Sequence, residues 1–92
     1  MYKIIDIKHK ETGKTREDGR YPLRIGSVID FFAYEPTVNQ CALLSYVYDN
    51  KGKPKQGTLR TSFVEEIFEG EKELILTTCN SIYVLEKINH DD

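Results

Sequence analysis

The 92-residue chain is about 39% hydrophobic and 30% charged, a balance too apolar for disorder and long enough for one modest core, not two. A net charge of −2 hides a gradient: residues 1–28 carry seven basic against four acidic side chains, and residues 61–92 carry two against eight. No run of apolar residues approaches the length of a signal peptide or a membrane span, so the chain reads as a cytoplasmic protein.

In chain order, Tyr2 to Lys8 alternates as a first strand, with Tyr2 and Ile4 on one face and Ile5 and Ile7 on the other. Lys10 to Lys14 is a turn in which Gly13 supplies positive φ. Thr15 to Tyr21 suggests an outgoing strand broken at Asp18-Gly19, and Pro22, which lacks an amide hydrogen, fits a strand start or an edge. Ser27 to Tyr34 then alternates with apolar residues on both faces, as in a curled or closed sheet, until Glu35-Pro36-Thr37 ends it. Ala42 to Asp49 places Leu44, Tyr46 and Tyr48 on one face. Asp49 to Gly57, with Asn, Gly, Pro and three lysines, is a loop, and Thr58 to Thr61 returns antiparallel.

Ser62-Phe63-Val64-Glu65 has the form of a capping box, with Gly70 placed for a C-terminal cap. The four-residue spacings of Phe63 with Ile67 and Val64 with Phe68 predict one short helix near 63–69, docked on the sheet. Glu73 to Thr78 and Ser81 to Lys87 form a hairpin about Cys79-Asn80, with Asn80 in the left-handed conformation. The sum is a mainly β domain over 1–88: an SH3-like barrel of five to six strands, with an OB-like barrel or an open α+β roll as alternatives, and 89–92 as a frayed tail.

Four segments carry a resemblance: Tyr2-Lys3-Ile4-Ile5, Arg20 to Ser27 (Arg-Tyr-Pro-Leu-Arg-Ile-Gly-Ser), Thr61-Ser62-Phe63-Val64, and Thr78 to Leu85. Together they are similar to uncharacterised small β proteins of Gram-positive bacteria and their mobile elements. That resemblance implies a barrel and transfers no activity and no site residue.

Signs of catalysis are absent. The six glycines are scattered over turns, with no phosphate loop or nucleophile elbow. Two cysteines and two distant histidines do not make a metal site, so no catalytic residue, metal or cofactor is expected. Glu65, Glu66, Glu69, Glu71 and Glu73 read as a cap partner and a solvated face.

The expected function is therefore a non-enzymatic binding module, with a protein or peptide held on an aromatic face of Tyr34, Tyr46 and Tyr48. A nucleic-acid-binding barrel is the alternative, using Arg16, Arg20 and Arg24 with Lys51, Lys53 and Lys55. A weaker alternative is an acidic inhibitor whose last third mimics nucleic-acid charge.

Overall fold

The computed structural model describes residues 1–88, so the expected tail at 89–92 lies outside the described residues. The elements are β1 (Tyr2–His9), α1 (Tyr21–Arg24), β2 (Val28–Asp30), β3 (Cys41–Tyr48), β4 (Thr58–Glu69), β5 (Glu73–Thr78) and β6 (Ser81–Lys87). Each strand pairs antiparallel with the next in sequence, and β6 closes the ring on β1 in a register running from Tyr2 opposite Lys87 to His9 opposite Ser81. The fold is a closed six-stranded barrel with one short helix. Closure leaves no sheet edge, which removes the open roll. The next-neighbour order is also not the Greek-key order of an OB-like barrel.

Strict alternation makes the β5–β6 hairpin. Leu74, Leu76 and Thr78 point inward from β5, and Ser81, Tyr83 and Leu85 from β6. They meet Ile4, Ile7, Ile29, Ala42, Leu44, Leu59 and Val64 in one core. The side of the core near the chain start is finished by Phe31, packed edge-on against Tyr2 at 5.2 Å between ring centroids.

The helix expected at 63–69 is not there; those residues are the second half of β4. Two irregularities explain the misreading. Cys41 pairs with Phe63 but Leu43 with Arg60, so Ala42 faces both Thr61 and Ser62. Val64 pairs with Thr78 but Glu66 with Thr77, leaving Glu65 over. Each extra residue shifts the inside–outside phase, so the inward positions become Leu59, Thr61, Val64 and Ile67. That spacing imitates a helical stripe.

The supposed cap groups have other work. The buried Thr61 hydroxyl accepts the Ala42 amide at 2.9 Å and donates to the Ser62 carbonyl at 2.7 Å, which fixes the first bulge. Glu65 pairs with Lys10.

The one helix among the described residues is α1, with Pro22 inside its first turn, where a missing amide hydrogen costs nothing. This corrects the strand-start reading of Pro22. The Gly26 amide donates to the Ile4 carbonyl at 2.7 Å and ties the end of the arm, the segment between β1 and β2 that carries α1, to β1. A bulge between Ile4 and Asp6 likewise corrects β1: Ile4 and Ile7 are both fully buried, while Ile5 faces out.

β2 stops at Asp30, short of the expected Tyr34. The Asp30 carboxylate accepts the amides of Phe31 (2.8 Å) and Phe32 (3.4 Å), and Phe32 turns the chain at φ +53°. An aromatic residue at positive φ is strained, and this ring is 66% exposed, so the core returns little for it. Phe32→Gly removes roughly 1–2 kcal/mol of strain against roughly 0.5–1 kcal/mol of added chain entropy. Urea unfolding should therefore show a small net gain in stability. A clear loss would mean that the Phe32 ring holds the loop.

Asn80 is not in the left-handed region either. The hairpin turn is held by Thr78, whose hydroxyl accepts the Asn80 and Ser81 amides at 3.4 and 3.0 Å and donates to the Ser81 carbonyl at 3.0 Å.

Candidate binding site

The three tyrosines do not form one face. Tyr34 lies in the loop after β2, exposed, its amide bonded to the Phe31 carbonyl. Tyr48 opens on a hollow of about 270 Å³ with Lys3, Val28 and Asp49. Tyr46 stands at the rim of the core and lines a different hollow of about 380 Å³. The strand pattern puts Tyr46 and Tyr48 on one side, but β3 bulges at Val47, left over between the Tyr48–Val28 and Tyr46–Ile29 pairs, which breaks the shared face.

The basic residues sort in a way no spacing rule predicts. Arg16 is engaged. Its Nε and Nη2 donate to the two oxygens of Asp18 at 3.1 and 2.7 Å, its Nη1 donates to Ser81 Oγ at 2.7 Å, and its guanidinium lies over Tyr21 at 4.1 Å. Lys51 and Lys53 stay on the β3–β4 loop, where the Asp49 carboxylate accepts their amides at 2.8 and 2.9 Å. Arg20, Arg24 and Lys55 converge on Tyr46, with Leu23 and Leu59 as apolar neighbours.

Two local devices bring them together. Arg20 and Arg24 are four apart across the single turn of α1, so they share its side. The β3–β4 loop folds back on β3, with the Lys55 amide donating to the Val47 carbonyl at 3.0 Å, and this places Lys55 Nζ 4.0 Å from the centre of the Tyr46 ring. A cation over an aromatic face is favourable by about 0.5–1 kcal/mol at an exposed site.

The electrostatics of the groove are one-sided. Among the described residues no carboxylate lines it, and none lies within ion-pairing distance of Arg20, Arg24 or Lys55. Burial pushes the Tyr46 hydroxyl up, with the neighbouring Arg24 offsetting part of the effect. Burial also pushes Tyr83, beneath the arm, up to about 12. Both phenols remain protonated at neutral pH; Tyr46 gives the groove a polar but uncharged wall, while Tyr83 belongs to the core.

The neighbouring hollow, of about 420 Å³, is lined by His9, Lys10, Arg16, Tyr21 and Cys79. Its cations already have acidic partners in Glu65 and Asp18. No group of three His, Cys, Asp or Glu side chains suited to a metal occurs among the described residues. Nor is any helix there long and apolar enough to cross a membrane.

The Arg16–Asp18 tie gives a pH prediction. The hydrogen bond from Arg16 holds the Asp18 carboxyl down to about 2, from an ordinary 3.8. A depressed folded value means the tie is complete above the ordinary carboxylate range and is lost as the pH falls through about 2. An NMR titration of the Asp18 carboxyl carbon should show its midpoint near that value. A midpoint near the ordinary one would mean that Arg16 is free to join the groove.

Leu23 and Leu59 were not singled out from sequence. A signal for Leu23 existed in Arg20-Tyr21-Pro22-Leu23-Arg24, since proline early in a turn with cations four apart fits a one-turn helix. The chain matches no family model, no curated protein and no solved structure at a significant level, so the groove is read from its own residues.

Proposed function

We propose that this protein is a non-enzymatic, cytoplasmic binding module that holds a segment of a partner protein in the Tyr46 groove. One observation carries the reading: three cations, an aromatic ring and an exposed leucine converge on a concave surface to which no described residue contributes a carboxylate. Like charges gathered without counter-charges repel one another and gain from a ligand that supplies the missing sign. The SH3-like label belongs to this proposal as well: the arm between β1 and β2 curls over one side of the barrel and contributes Arg20, Leu23 and Arg24 to the groove.

A peptide suits the groove better than nucleic acid. Single strands are held by bases stacked on open aromatic faces. Here Arg16 and Arg24 lie over the Tyr21 ring, and Lys55 over Tyr46. A base would have to displace them. The acidic-mimic reading is weakened by the ion pairs that tie Glu65 to Lys10 and Glu69 to Lys87.

Selection of a random peptide library against the folded protein tests this reading. Binders that lose affinity on Tyr46→Ala are expected. If no selected peptide depends on Tyr46, the groove is not a protein-binding site.

A further inference from the structure

We infer that the groove is specific for carboxylates: its ligand is an extended acidic segment of the partner, with one apolar side chain seated beside Leu23. This rests on the groove being a protein-binding site and adds what that site selects.

The cations available here are Arg20, Arg24 and Lys55. An arginine fork matches the two oxygens of a carboxylate, and such charge-assisted bonds are about twice as strong as neutral ones. Lys55 closes the far wall as a point charge, held in place by its ring contact with Tyr46. Leu23 is 63% exposed between Arg20, just before α1, and Arg24 at its end, and lines the groove with Tyr46 and the buried Leu59. A purely ionic ligand would leave that apolar surface wet; an apolar side chain covers it. A polyanion held only by phosphate contacts would find just three cations in this groove, on a chain whose net charge is −2. Affinity of that kind falls steeply with salt.

The test measures fluorescence anisotropy of the full chain at physiological ionic strength. The probe is a short labelled peptide of glutamates interrupted by one leucine. Its companions are a twin with glutamine for every glutamate, a twin with serine for the leucine, an oligothymidylate and inorganic phosphate. The glutamate–leucine peptide should bind, the glutamine twin about tenfold or more weaker, a difference of about 1.4 kcal/mol. The serine twin should be weaker by several-fold.

Arg20→Ala with Arg24→Ala should cost about tenfold or more, and Lys55→Glu, on an exposed loop that cannot unfold the barrel, should act in the same direction. Equal binding of the glutamine twin would overturn carboxylate selection while leaving a protein-binding groove. So would failure of the glutamate peptide when library binders still depend on Tyr46. Displacement of the peptide by an equal concentration of phosphate, or tighter binding of oligothymidylate, would overturn it in favour of a phosphate ligand.

Discussion

Val64→Asp should leave no folded protein, whereas Phe63→Asp, one residue earlier, should fold. Val64 is fully buried in the barrel core, and Phe63 on the outer face is 59% exposed. An unpaired charge in the core costs several kcal/mol, comparable with the whole stability of a small domain, roughly 5–15 kcal/mol. The aspartate at 63 meets water instead. Far- and near-ultraviolet circular dichroism of the two variants settles the matter, since a folded Val64→Asp beside an unfolded Phe63→Asp would reverse the inside–outside phase of β4.

Thr78→Val should cost about 2–3 kcal/mol, although the side chains have nearly the same shape. The change removes the acceptor for two amides and the donor to the Ser81 carbonyl, in a place where both residues are buried. Each buried group left without a partner costs about 1–3 kcal/mol, and exposed Asn80 can recover part of this from water. Asn80→Gly, by contrast, should be nearly neutral, because Asn80 has no positive φ to relieve. Chemical denaturation of the pair decides which residue holds the turn; a large effect at Asn80 and none at Thr78 would move it.

What could be read from the sequence follows from where the chain is regular. Glu73 to Thr78 and Ser81 to Lys87 each alternate without a bulge, and Cys79-Asn80 between them is a plain two-residue turn, so the strand bounds follow from local pattern. The loop at 49–57 is equally plain from its Gly, Pro and Asn content. β4 is the opposite case. Its bulges at Thr61–Ser62 and Glu65 are set by partners on β3 and β5, far away in sequence, and a local window sees only their effect on spacing. Asn80 failed for a related reason: a threonine two residues earlier competes for the same turn, and its hydroxyl wins because it is buried with the Ser81 amide it holds.

The site was half visible. Tyr46, Arg20, Arg24 and Lys55 were all named from sequence, but in two separate sets, one aromatic and one basic. Only the fold-back of the β3–β4 loop and the single turn of α1 unite them. Tyr34, Lys51 and Lys53 stay on their own loops outside the groove, and Arg16 is engaged by Asp18.

Amide chemical-shift mapping of the labelled protein, titrated with the glutamate–leucine peptide, tests the groove most directly. The account predicts saturable shifts centred on Leu23, Arg24, Tyr46 and the 55–59 segment, vanishing in the Arg20→Ala, Arg24→Ala variant. Shifts confined to the Phe32–Tyr34 loop or to the Tyr48 hollow, or none at any peptide concentration, would contradict it.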